Sequence, residues 1–259
     1  MTEWIPIIVD KEGASLDKTI FDSISSGEIP ALILRNFYSK EDCQKVASQT
    51  SNFSKHMHGE TYLKKIGVFL SAYQNEKEDY FNDAKVSNDE LNKIFTEKNP
   101  VHDIHNKIKE ISNFEISTAT EDGTTYSQGI IRLWETGDIG SLHRDNANFE
   151  VPNYQISKYQ NQISCVLYLY EPELGGELVV YRQKWEKPDE KFREIGFGYK
   201  KEVLKTTEKT TVFPIQGDLI IFNPNHYHEI LPISGIDRRI TFGNFFGYNN
   251  SSNVAESWS

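Results

Sequence analysis

The chain has 259 residues, a length that fits one large domain or one domain with an elaborated end. Hydrophobic residues make up 37% and aromatics 12%, which supplies a sizeable core and excludes a disordered chain. Lys and Arg total 28 against 38 Asp and Glu, and the resulting net charge of −10 disfavours a nucleic-acid backbone as the main partner while leaving room for a local basic pocket around a small anion.

The first residues, Met1-Thr2-Glu3-Trp4-Ile5-Pro6, lack the basic start and apolar run of a signal peptide. No stretch of about 18 apolar residues occurs, so no membrane span is expected. Cys43 and Cys165 lie far apart, and Cys165 sits in an apolar run. They read as buried thiols, which argues for a reducing, cytoplasmic setting.

Ile7-Ile8-Val9 and residues 29–35 read as strands, with Pro30 at the start or edge of the second. Ser39 is a good helix N-cap, with Asp42 placed to return a bond, and the helix runs on through Val46. Residues 67–71 form a further expected strand. Residues 88–95 and 101–111 read as helices, the second with Val101, Ile104, Ile108 and Ile111 at helical spacing. His102 and His105 on that helix, and His56 and His58 before it, read as a solvated face and a polar stretch, with no metal pairing expected of them.

From about residue 117, β-branched and aromatic runs alternate with Gly, Pro and Asn turns. Strands are expected over 127–135, 139–145, 161–170, 177–181, 210–213, 217–222, 228–233 and 239–246. So many short strands without intervening helices predict a mainly β (α+β) fold, a jelly roll or barrel. Residues 1–120 then form an N-terminal elaboration of helices and strands, and 121–250 the core, in one domain spanning 1–259. Two long insertions, 146–160 and 184–209, have the length of lids over a site.

The chemistry gathers at Leu142-His143-Arg144-Asp145-Asn146 and Asn223-Pro224-Asn225-His226-Tyr227-His228. On a strand His143 and Asp145 project from one face, giving an imidazole and a carboxylate side by side. A third ligand from the second segment leaves the opposite face of an octahedron open, which suits non-haem Fe(II). His226 and His228 have the same parity, so spacing admits either. Arg239 and Thr241 share a strand face, and a guanidinium with a hydroxyl inside a barrel is costly without an anion to bind. A carboxylate ligand satisfies both. Arg132 on the preceding strand contacts cosubstrate or substrate, or pairs with a core acid. Ser164 offers the pocket a hydroxyl or serves packing alone.

The order of these features resembles the Fe(II)/2-oxoglutarate-dependent oxygenases over roughly residues 125–248. The resemblance implies a double-stranded β-helix with N-terminal helices packed outside it. It implies His143, Asp145 and His228 as metal ligands, and Arg239 with Thr241 on the far carboxylate of 2-oxoglutarate. It further implies use of O2, release of succinate and CO2, and hydroxylation of an unactivated C–H bond. More narrowly, Ile131-Arg132-Leu133, Gly175-Gly176-Glu177-Leu178-Val179-Val180-Tyr181 and Tyr227-His228 are similar to the stand-alone halogenases of hapalindole-type alkaloid biosynthesis. In those enzymes glycine replaces the metal-binding carboxylate and halide fills the vacancy. Here the residue is Asp145, which implies a hydroxylase acting on a free small molecule, an amino acid or a specialised metabolite. A cupin-like metalloenzyme without 2-oxoglutarate has no need of a buried Arg239. A non-catalytic module on the same fold has no need of three intact ligands. No sequence signal specifies an oligomeric state.

Overall fold

The computed structural model describes residues 3–10, 16–50, 64–236 and 238–259. Its N-terminal half runs β1 (Ile7–Val9), α1 (Thr19–Ser26), β2 (Ala31–Leu34), α2 (Lys40–Gln49), β3 (Lys64–Ile66), α3 (Lys77–Ile94), α4 (Pro100–Ser112), β4 (Glu115–Thr118), then a small hairpin of β5 (Thr120–Glu121) and β6 (Thr124–Thr125). The second half runs β7 (Ile130–Trp134), β8 (Gly140–His143), α5 (Ala147–Glu150), β9 (Asn161–Tyr170), β10 (Leu174–Gly175), β11 (Leu178–Lys184), β12 (Lys209–Val212), β13 (Leu219–Phe222), β14 (His226–Ile230), β15 (Ile233–Ser234), β16 (Arg239–Tyr248) and β17 (Val254–Trp258).

Local chemistry sets the helix ends. Ser39 caps α2 by accepting from the Asp42 backbone N–H, as its sequence position predicts. Asn99 caps α4, Pro100 opens it, and Asn113 closes it in the left-handed conformation at φ 59°. Val101, Ile104, Ile108 and Ile111 are all buried along one face of α4. Helix α3 starts well before the expected 88–95 because Tyr80, Ala84, Ser87, Leu91 and Ile94 form one buried stripe through a polar sequence. The strand expected over 67–71 is not there: β3 ends at Ile66, and Leu70–Tyr73 is a 3-10 turn. Gly67 takes φ +115°, and a Cβ on it would come within 2.7 Å of the Gly129 carbonyl, so the chain leaves the sheet at that point.

Two sheets face each other. The larger has nine strands, with β1-β2-β13-β9-β16-β17-β4 in order and β7 pairing both β16 and β3. The smaller is β12-β11-β14-β8. Between them, β7, β8, β9, β11, β12, β13, β14 and β16 wind back and forth across the sandwich, which is the double-stranded β-helix. Alternation sorts the side chains of the large sheet. Ile131, Leu133, Leu167, Leu169, Ile240 and Phe242 turn outward into a core shared with Ile20, Phe21, Val46, Ile104 and Ile108, so the N-terminal helices cover this face. Tyr168, Ile220 and Phe222 turn inward against Leu178, Val180 and Val212 of the small sheet. Cys43 and Cys165 are both buried and free of any disulfide, and the Cys43 thiol donates to the Tyr168 carbonyl at 3.7 Å. No helix among the described residues is long and apolar enough to cross a membrane.

Candidate metal centre

Strands β8 and β14 are antiparallel neighbours, and their register sets His143 opposite His228. The two imidazole centroids are 4.1 Å apart. Asp145 follows β8 and is pinned by its backbone N–H, which donates to the Pro224 carbonyl at 2.9 Å, so the turn before β14 also places the third side chain. Ligand atoms of His143, Asp145 and His228 all lie within 4.8 Å of one another, the only such group of three or more among the described residues. Spacing had admitted His226 or His228, and His228 is the one beside Asp145.

The tautomers follow from the hydrogen bonds. His143 Nδ1 lies 2.7 Å from the Ser141 carbonyl, and His228 Nδ1 lies 2.9 Å from the His226 carbonyl. Each Nδ1 therefore carries the proton, and each Nε2 turns a lone pair into the shared space. His228 Nε2 is 3.5 Å from Asp145 Oδ2. Burial, with His228 beside it, draws the His143 pKa down to about 4. Burial works against ionisation of Asp145, but its contact with His228 and the nearby His143 and Arg132 hold it at about 2. At neutral pH the centre therefore offers a neutral His143 and an ionised Asp145, with the His228 imidazole beside them. A carboxylate and two imidazoles converging on one small space form a donor set that a cation stabilises.

A second feature stands beside it. Arg239, only 2% exposed, lies between Tyr168 and Trp134, with its guanidinium 4.9 and 5.3 Å from their ring centroids. Its one hydrogen bond is a long one of 3.4 Å to the Tyr168 hydroxyl, and Nε has no partner. The Thr241 hydroxyl is also buried and unpartnered. No carboxylate pairs with Arg239 among the described residues. Gly176 leaves room for the arginine stem, since a Cβ there would sit 3.0 Å from Arg239 Cδ. An unpaired buried guanidinium with a free hydroxyl fits an incoming carboxylate. Arg132 pairs across the sheet with Thr241 and forms no ion pair among the described residues, though Asp145 is near enough to act on its charge, and its guanidinium lies 4.9 Å from the Phe69 ring centroid. Ser164 is buried on β9 opposite Phe222 and Phe245, without a side-chain hydrogen bond.

Both insertions reach the metal centre. Phe197 sets its ring 4.9 Å from that of His143, and the Tyr199 N–H donates to the Leu142 carbonyl at 2.7 Å. Asn146 donates to the Asn225 side chain at 3.0 Å, and Phe149 packs on Trp185. Arg144, between His143 and Asp145, has a fully buried side chain. It pairs with Glu150 at 2.7 Å and Glu190 at 3.3 Å, one acid from each insertion. Sequence reading missed Arg144, because the acids that explain it sit in loops without periodicity. It missed Lys65 for a similar reason: nothing near it in sequence announces its partner, Arg132.

The other histidines stand apart. His226 is buried against Trp4 with Nδ1 on the Tyr181 carbonyl at 2.9 Å. His105 bonds Ser257 at 2.8 Å, so it packs inward, while His102 is exposed. His56 and His58 lie outside the described residues.

With this geometry in hand, three comparisons are informative. The family model described as "Carrier-protein-independent halogenase WelO5" matches residues 1–259. Leucinostatins biosynthesis cluster protein S of Purpureocillium lilacinum is 30% identical over 211 residues, 76% of this chain and 85% of that protein. The L-gamma-glutamyl-L-propargylglycine hydroxylase of Streptantibioticus cattleyicolor is 32% identical over 130 residues, 50% of this chain and 47% of that enzyme. Among solved structures, an N-substituted L-amino acid dioxygenase from Burkholderia ambifaria superposes with a TM-score of 0.66 at 15% identity, covering 93% of this chain and 91% of that one. That same enzyme has also been solved with alpha-KG, and at this identity the likeness supports the fold.

Proposed function

We propose that this chain, which belongs to the family of the carrier-protein-independent halogenase WelO5, is a hydroxylase within the Fe(II)/2-oxoglutarate-dependent oxygenases that acts on a free small molecule. Asp145 carries this reading. A halogenase of the hapalindole type has glycine at that place, which leaves a coordination position for halide. Here a carboxylate fills it, ionised and within reach of both imidazoles. The hydroxylase among the relatives supports the same side of the choice.

In this reading His143, Asp145 and His228 hold Fe(II), and Arg239 with Thr241 holds the distal carboxylate of 2-oxoglutarate. When bound, the metal, the cosubstrate and O2 supply an oxidation that yields succinate and CO2 and places one oxygen atom in a C–H bond. The chain's own part is positional. The Nδ1 bonds of His143 and His228 to backbone carbonyls fix both rings before metal arrives, so little order is lost on binding. Trp134 and Tyr168 hold the Arg239 guanidinium flat toward the cosubstrate. Phe197 and the Arg144 clamp draw the insertions over the centre and keep water from it.

The test is anaerobic loading with Fe(II) and 2-oxoglutarate, followed by O2 and a metabolite library. A visible charge-transfer band should form, and succinate should appear with a product heavier by one oxygen atom. His143→Ala and His228→Ala should each abolish the band, while His226→Ala keeps it. A band lost with His226→Ala and retained with His228→Ala contradicts the ligand set.

A further inference from the structure

The inner face of the large sheet carries a second group of cations that the metal and the cosubstrate do not use. Lys65 on β3 stands directly across from Arg132 on β7, and Arg132 stands across from Thr241 on β16. Lys65 is only 1% exposed. Its ammonium lies 4.5 Å from the Phe69 ring centroid, and the Arg132 guanidinium lies 4.9 Å from the same ring. Neither side chain has a hydrogen bond among the described residues, Lys65 has no acidic partner among them, and the acid that acts on Arg132 is the metal-facing Asp145. Arg132 is fitted into place, since a Cβ on Gly243 would come within 2.5 Å of its Nη1.

Lys65 is buried and Arg132 half-buried, and two like charges placed side by side with little water around them repel and lose hydration. Burial first, then Arg132, pulls the Lys65 pKa down to about 8, the response of an ammonium with no anion beside it. A core built only for packing would place an apolar residue at position 65. The cosubstrate does not account for the pair. One of its carboxylates goes to the metal and the other to Arg239. The formal charges of a divalent metal, Asp145, a dianionic cosubstrate and Arg239 cancel, which leaves Lys65 and Arg132 uncompensated. Arg132 stands across from Thr241, and two residues along the same face of β7 Trp134 packs on Arg239, so the pair adjoins the cosubstrate anchor.

We propose that Lys65 and Arg132 form a carboxylate subsite for the substrate, so that the molecule oxidised here bears a free carboxylate. The proposal rests on the oxygenase reading above and narrows its substrate class to organic acids, amino acids among them. Lys65 supplies a point charge and Arg132 a planar fork, with the Phe69 ring as the apolar floor beneath both. A substrate anchored this way presents a C–H bond at a fixed distance from its carboxylate.

The experiment uses protein loaded with Ni(II) and 2-oxoglutarate, and the same protein without metal. The probes are hexanoate and L-norleucine against hexanamide and L-norleucinamide, titrated calorimetrically. The carboxylates should bind at least about tenfold more tightly than the amides. Lys65→Met should erase that preference, Lys65→Arg should keep much of it, and 2-oxoglutarate affinity should stay within about twofold. Equal binding of acids and amides, no binding of either acid, or a Lys65→Met variant whose main loss is 2-oxoglutarate affinity overturns the subsite. The metal-free arm separates the two claims. Failure of 2-oxoglutarate to bind counts against the oxygenase reading, while a charge preference that depends on Lys65 still upholds the subsite.

Discussion

Lys65 is the residue whose physics is most exposed to measurement. Its pKa falls from the ordinary 10.5 to about 8 in the folded protein, so between those values the unfolded chain binds more protons and stability rises with pH. Below about pH 8 the penalty is fully present, roughly 3 kcal/mol for a shift of this size. Lys65→Met removes it while losing the contact with Phe69. The ligand-free variant should therefore be more stable than the parent at pH 7 by roughly 1–2 kcal/mol, with the gap shrinking toward pH 10. Denaturant melts across that range read it directly, and a variant less stable at pH 7 would show that the ammonium is compensated in the fold. Arg239 gives a second residue-level expectation. Arg239→Ala should weaken 2-oxoglutarate by about 2–5 kcal/mol while metal affinity stays near that of the parent. Calorimetry on the metal-loaded protein decides it, and unchanged cosubstrate affinity would move the anchor to Arg132.

At the scale of elements, the two insertions are tied together at one place. Arg144 lies 4.4 Å from the Trp185 ring centroid while pairing with Glu150 and Glu190, and Phe149 packs on Trp185, so 146–160 and 184–209 share one contact cluster. Arg144→Met should cost roughly 3–5 kcal/mol, because it strands the buried Glu150 carboxylate. Hydrogen exchange should then speed up in α5 and around Phe197 together, with β9 and β16 unchanged. Loss of protection in one insertion alone would show that they are independent. The same elements show what sequence can convey. β9 and β13 were legible because long apolar runs between turn residues leave few alternatives to a buried strand. Helix α4 was legible from its apolar stripe. The early turns of α3 were not, since Lys77-Glu78-Asp79 reads as solvated surface until Tyr80 and Ala84 are seen buried. Strand β3 was misplaced because Gly67 ends it through a close backbone approach that only the folded chain reveals.

Across the whole molecule, the site is a product of topology. His143 and His228 come from β8 and β14, far apart in the chain and adjacent in the small sheet. Strand parity left His226 and His228 open, and the family resemblance singled out His228, the one the fold sets beside His143 and Asp145. Arg239 and Thr241 were legible by strand parity. Lys65 was not, because its meaning depends on β3 joining the edge of the large sheet beside Arg132. A chain with a net charge of −10 thus directs a cluster of cations inward at one place, the place proposed here for its small anions. The central claim is that Asp145 occupies the position a halogenase leaves to halide. The most direct measurement is mass spectrometry of the product formed by the Fe(II)- and 2-oxoglutarate-loaded protein with O2, with and without high chloride. The account predicts the same hydroxylated product in both, with no chlorinated species. Chlorinated product from the unaltered protein would contradict it.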